Sequence, residues 1–290
     1  RRLAGPAARG PALVQPPHGD SGQTSARVPP RPVHCLLRPW ADPRVDQAMF
    51  VRYDPPAGRK TGAIVIVIPG GNYDECDVHC GEGQPVAQWL ANLGITGVVL
   101  QYRCVSQGHY WPAQHDDWAA CARAVVDQAP SWGCDPARVG VIGFSAGGHL
   151  AGVAAACADP AIRPRLQILV YPAIDTLSPR EDGDIDPWAP EKGYPAPDTS
   201  CHLLVGPSTP PAFLAGINGD TYCPAKENTE LYAQELQTHG VPYRYVTDDE
   251  EEHGCGLKDW WTVPCAAWLA EQGWAHSPLP GWEVINERDA

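Results

Sequence analysis

Short apolar runs alternate with amphipathic stretches along most of this chain. Ala63–Ile68 is an unbroken apolar run, β-branched after its first residue, which predicts a buried strand. Similar runs at Thr96–Tyr102, Val139–Phe144, Leu166–Tyr171, Ala212–Ile217 and Tyr243–Val246 predict further strands. Val45–Tyr53 predicts a first one, ahead of the turn at Asp54-Pro55-Pro56-Ala57-Gly58. Helical patterns lie between them. Gln84–Leu93 is amphipathic and stops at Gly94. Asp116–Gln128 carries acids in its first turn, where they complement the helix dipole. Ala146–Ala158 is small and apolar throughout, as suits a buried helix. Lys226–Thr238 ends near Gly240, and a last helix is expected over Trp260–Gln272. Strands alternating with helices specify an α/β fold, a mostly parallel central sheet with helices on both faces.

The alternation breaks in two places. Residues 1–33 are rich in Pro, Arg, Gly and Ala and have no apolar period, so a disordered leader is expected there. The chain opens on Arg1 rather than Met, as a fragment or processed product would. Residues 1–33 lack the apolar core of a signal peptide, which leaves room for a targeting segment upstream. Residues 174–210 hold many Pro, Asp, Gly and Ser, and an irregular excursion of that length is expected near a site. One folded domain is expected over residues 34–275, with 276–290 as a tail.

Composition narrows the function classes. With 34 acidic and 21 basic residues the net charge is −13, which repels phosphate backbones and anionic membranes. No apolar run approaches the roughly 20 residues of a membrane span. The 11 cysteines are odd in number, and Cys104, Cys121, Cys157 and Cys265 sit in apolar segments. That suits a reduced, cytoplasmic chain. Cys76, His79 and Cys80 could form half of a zinc site, but no matching second pair follows. Neither a metal nor an organic cofactor is expected.

Gly143-Phe144-Ser145-Ala146-Gly147 has the form of a nucleophile elbow between a predicted strand and a predicted helix. The glycines let neighbouring chain pass close to a strained turn that lifts the serine hydroxyl clear. Pro69-Gly70-Gly71-Asn72-Tyr73 follows another strand, and a loop so poor in side chains can bring backbone N–H groups up to a reacting carbonyl. Gly70, Gly71 and Asn72, with Ala146 after the serine, are therefore the oxyanion candidates. A serine nucleophile needs a base, and the base needs an acid to fix its tautomer. Among His149, His202, His239, His253 and His276, only His253 lies in a loop after a strand and ahead of a glycine. Asp220, in the loop after Ala212–Ile217, is the expected acid, with Asp248 and Asp249 as competitors inside the histidine's own loop. The run Asp248–Glu252 is expected to oppose anionic substrates. Tyr73, Trp111 and Trp188 fall in loops that could border the site, where flat aromatic faces suit sugar rings.

Over roughly residues 45–275 the chain resembles a family of α/β-hydrolases, the acetyl esterases described as acetylxylan-esterase-like carbohydrate esterases. The marks are Ile68-Pro69-Gly70-Gly71-Asn72-Tyr73, Gln101-Tyr102-Arg103, Gly143-Phe144-Ser145-Ala146-Gly147-Gly148-His149-Leu150, Tyr171-Pro172, Thr209-Pro210-Pro211-Ala212-Phe213-Leu214 and His253-Gly254. The resemblance implies an α/β-hydrolase fold and a serine esterase that removes short acyl groups, acetyl above all, from a carbohydrate or small ester. It implies Ser145, Asp220 and His253 as the triad, with Gly71, Asn72 and Ala146 around the oxyanion. The acid loop departs from the family pattern: two acids in a row are usual there, and here Asp220 stands between Gly219 and Thr221. The segment 174–210 matches poorly.

Overall fold

The computed structural model describes residues 48–176 and 199–276, together with the backbone of residues 32–36. Eight strands form one sheet: β1 (Pro32–Leu36), β2 (Met49–Tyr53), β3 (Ile64–Ile68), β4 (Thr96–Gln101), β5 (Val139–Phe144), β6 (Gln167–Val170), β7 (Ala212–Ile217) and β8 (Tyr243–Asp248). Their order across the sheet is β1-β2-β4-β3-β5-β6-β7-β8. β1 and β2 pair antiparallel, as do β2 and β4, and every pairing from β4 to β8 is parallel. Pro32 and Val33, which composition assigns to the leader, are strand residues here.

Alternation along β3 explains the layering. Ile64, Ile66 and Ile68 enter one core, with Trp118, Cys121 and Val125 of α2 (Ala113–Gln128), Leu150 and Ala154 of α3 (Ser145–Ala155), and Tyr232 and Leu236 of α4 (Leu231–Thr238). Val65 and Val67 enter the other, with Val86 and Leu90 of α1 (Gln84–Asn92) and Trp261, Cys265 and Leu269 of α5 (Asp259–Glu271). Both faces of the sheet are thus closed by helices, so β3 and β5 at its centre carry no polar side chain.

Two helix starts differ from the sequence pattern. α2 begins at Ala113, three residues before Asp116, because Pro112 fills the flanking position where a missing N–H costs nothing. Lys226–Glu230 forms a wider π turn, and α4 follows it. Within 174–210 the described part holds a short 3₁₀ turn at Cys201–Leu204. Among the described residues no helix is long and apolar enough to cross a membrane. All ten cysteines whose side chains are described are free thiols. Burial pushes Cys104 and Cys255 up to about 12 and Cys80 up to about 11.

The strand order places the site. From β3 the chain crosses to β4 on one side, and from β5 it moves to β6 on the other. β3 and β5 are neighbours, with Ile68 opposite Gly143, so the connections diverge between them. Crevices at such divergence points, beyond the carboxyl ends of the strands, are where α/β sheets bind ligands.

Candidate active site

Four loops leave the carboxyl ends of β3, β5, β7 and β8. Ser145 stands where β5 turns into α3, and its backbone takes the left-handed conformation, φ 53°. A non-glycine residue held there signals a constrained position. The spacing Gly-x-Ser-x-Gly has a steric cause. A Cβ at Gly143 would run into the Gly147 carbonyl, and one at Gly147 would run into the carbonyls of Ile68 and Pro69.

The three residues proposed from the sequence meet in one hydrogen-bonded chain. His253 Nδ1 lies 2.6 Å from Asp220 Oδ2, and His253 Nε2 lies 2.8 Å from Ser145 Oγ. An ionised carboxylate only accepts, so Nδ1 carries the proton and Nε2 offers its lone pair to the serine hydroxyl. The second Asp220 oxygen accepts the backbone N–H groups of Tyr222 and Cys223 at 2.7 and 2.9 Å. A single buried acid in this loop is thereby fixed without a second one beside it. The His253 ring also contacts the rings of Tyr171 and Tyr222, each at 5.1 Å between centroids.

The competitors are occupied elsewhere. Asp248 accepts the N–H groups of Glu250 and Glu251, and Asp249 accepts from the Asn218 amide. His239 donates to the Glu235 carbonyl within α4's last turn. His202 lies in the 3₁₀ turn, and the His276 N–H bonds the Leu93 carbonyl. His149 is buried in α3 between Tyr73 Oη at 2.9 Å and the Thr199 carbonyl at 3.0 Å.

The glycine loop after β3 needs two corrections. The Gly70 N–H donates to Glu82 Oε2 at 2.7 Å, so it does not point at a reacting carbonyl. The N–H groups of Gly71 and Ala146 meet no acceptor among the described residues. Asn72 and Tyr73 both have positive φ, 53° and 60°, which turns the loop sharply, and the Asn72 amide bonds Asp74 at 3.1 Å. Tyr73 is the second correction. Its side chain is 1% exposed and packs against Tyr102, Trp111 and His149, so it anchors the loop inward instead of standing at an exposed rim. An aromatic residue in a loop is easily read as a rim residue, whereas here the turn drives it into the core. Trp111 is half-buried against Tyr73, His115 and His149. Trp188 lies outside the described residues.

Sequence reasoning gave no role to Glu82, nor to Tyr102 and Tyr171, which it noted only as marks of the resemblance. Tyr102 Oη shares its proton between the Pro69 and Gly70 carbonyls, both at 3.0 Å, and holds the glycine loop from below. Beside it, Arg103 is bound by the fully buried Asp117 through its side chain and its own N–H. The two Glu82 oxygens accept from Gly70 N–H and, at 2.8 Å, from Tyr171 Oη. Burial raises the Glu82 pKa against those two hydrogen bonds and the nearby His253. The available signal was positional: Tyr102 and Tyr171 stand at the ends of strands, and Glu82 between two glycines ahead of α1.

Cys76 and His79 diverge, Cys76 towards the Leu100 carbonyl and His79 towards Gln84. Among the described residues no three potential ligand side chains converge.

Residues 70–212 match the family model described as alpha/beta hydrolase fold. An acetylxylan esterase of Xylanibacter ruminicola is 28% identical over 210 residues, which cover 69% of this chain and 42% of that protein. The carboxylesterase NlhH of Mycobacterium tuberculosis is 29% identical over 230 residues, 70% of this chain and 69% of that one. The chain thus spans less than half of the first relative and about two thirds of the other. An acetyl ester-xyloside bifunctional hydrolase from Caldicellulosiruptor lactoaceticus superposes with a TM-score of 0.71 at 29% identity, covering 85% of this chain and 98% of that one. The sheet order, the strained serine elbow and these likenesses together show that the chain has the α/β-hydrolase fold.

Proposed function

We propose that the protein is a serine hydrolase of carboxylic esters that releases short acyl groups, acetyl above all, from a carbohydrate or another small ester. The observation that carries this reading is the unbroken chain from Asp220 through His253 to Ser145 at a strained elbow. In this mechanism Ser145 Oγ attacks the ester carbonyl while its proton passes to His253 Nε2. Asp220 holds the imidazole in that tautomer and stabilises the imidazolium. The N–H groups of Ala146 and Gly71 receive the oxyanion, and the first turn of α3 adds its positive end. His253 returns the proton to the leaving alcohol, and the acyl group stays on Ser145. Water, activated by His253, then releases the acid. No metal or organic cofactor enters these steps.

The acetyl preference rests on the names of the relatives, an acetylxylan esterase and an acetyl ester-xyloside hydrolase. Acids at Asp248 to Glu252, next to His253, disfavour anionic substrates and leave neutral esters. Ten free thiols suit a reducing compartment such as the cytoplasm. The test is hydrolysis of p-nitrophenyl esters from acetyl to octanoyl, with Ser145→Ala alongside. Fastest turnover of acetate, lost in the variant, is expected. Hydrolysis by Ser145→Ala at the parent rate would overturn the reading, and amide cleavage without ester cleavage would change the substrate class.

A further inference from the structure

Glu82 is a titratable side chain that the steps above do not use. We infer that it is a positioning residue that sets the glycine loop and the histidine loop in one frame, an inference that rests on the proposed serine mechanism. One of its oxygens accepts the Gly70 N–H at 2.7 Å. The other accepts from Tyr171 Oη at 2.8 Å, and Tyr171 Oη in turn accepts the Gly256 N–H at 2.9 Å. Gly70 belongs to the loop whose next residue, Gly71, faces the oxyanion in this mechanism. Gly256 stands three residues after His253. Tyr171 also lies against the His253 ring. One carboxylate therefore ties the donor side of the site to the base side through two bonds and a hydroxyl relay.

Packing shows how little slack there is. A Cβ placed on Gly70 would lie 2.8 Å from Glu82 Oε2 and 3.0 Å from the Ser145 Cβ, so Gly70 is wedged between carboxylate and nucleophile. Glu82 also accepts at both of its oxygens, one donor on each, which an ionised carboxylate does and an amide, with a single acceptor atom, cannot. In Glu82→Gln one oxygen still takes the Gly70 N–H. The amide nitrogen then faces Tyr171 Oη, which already receives the Gly256 N–H, and the Tyr171 proton loses its acceptor. A remote hydroxyl proton thus becomes a displacement of the His253 loop. Geometry matters here on the ångström scale, because donors and base must meet one tetrahedral centre together.

The experiment measures kcat and KM for p-nitrophenyl acetate in the parent, Glu82→Gln, Tyr171→Phe and Ser145→Ala, with circular dichroism and thermal unfolding of each. The expected result for Glu82→Gln is a kcat lower by about 10- to 100-fold, the range found when an outer partner of a functional group is removed, with KM within about twofold. Tyr171→Phe should move kcat the same way by less, and serves as the deciding variant should Glu82→Gln not fold. A folded Glu82→Gln with kcat within about twofold of the parent overturns the inference, as does a rise in KM at constant kcat, which marks substrate contact instead. An active Ser145→Ala overturns the serine mechanism itself. An inactive Ser145→Ala beside a fully active Glu82→Gln overturns only the role of Glu82.

Discussion

His149 and His253 are the same side chain in two settings, each with both ring nitrogens bonded. His149 lies wholly inside, between a tyrosine hydroxyl and a backbone carbonyl. The carbonyl only accepts, so Nε2 donates to Thr199 and Nδ1 accepts from Tyr73. The Thr199 carbonyl favours the protonated ring, but burial outweighs it and pulls the His149 pKa down to about 3. His253 sits at the edge of the site with a carboxylate on one nitrogen and a hydroxyl on the other. In the proposed mechanism it takes the serine proton, and Asp220 is placed to stabilise the charge. A histidine bonded to neutral groups staples structure, and one bonded to an acid can work as a base. Here the staple holds the glycine loop, through Tyr73, to the helix that starts at Ser145.

The largest effect tests the base directly. His253→Gln should lower kcat for p-nitrophenyl acetate by about 10⁶-fold, as loss of a triad histidine does elsewhere. Asp220→Asn gives His253 a neutral partner like those of His149. It should cost about 10⁴-fold in kcat with the fold intact, and an Asp220→Asn rate near the parent's would mean that charge is not what separates the two histidines.

The other half of the comparison is read in stability. Unfolded His149 takes up its proton near pH 6.5, whereas the folded residue resists protonation until about pH 3. Folding stability should therefore fall as pH drops through that window, by about 3 kcal/mol at pH 4 from this residue. Denaturant midpoints at pH 7 and pH 4 check this: His149→Phe should lose that share of the slope, and an unchanged slope would contradict it. The smallest effect is Tyr73→Phe, which removes one buried hydrogen bond. A loss of about 1 kcal/mol is expected, with kcat reduced far less than in Asp220→Asn.

What could be read from the sequence was local. The β-branched runs of β3 and β5 and the glycines around Ser145 are features of a few adjacent residues, so strand, elbow and sheet class were legible. That His253 and Asp220 would come together with Ser145 was legible because loops after parallel strands all emerge at one edge. Side-chain direction after a sharp turn was not legible. Tyr73 reads as a rim aromatic until the positive φ of Asn72 and Tyr73 turns it inward. Gly70 reads as an oxyanion donor until Glu82, twelve residues on, claims its N–H. Strand β1 was lost in a Pro- and Arg-rich context, because its partner β2 rather than its own pattern defines it.

The raised thiol pKa values have a practical consequence for chemical labelling. Alkylating agents and peroxides attack thiolates, and Cys80, Cys104 and Cys255, pushed to about 11 to 12, stay protonated at neutral pH. Burial drives Cys76, Cys201 and Cys265 the same way. A soft electrophile should therefore pass these six sulfurs by, while a hard phosphorus electrophile finds the hydroxyl at Ser145. At those six positions an intact-mass readout should stay free of sulfur adducts.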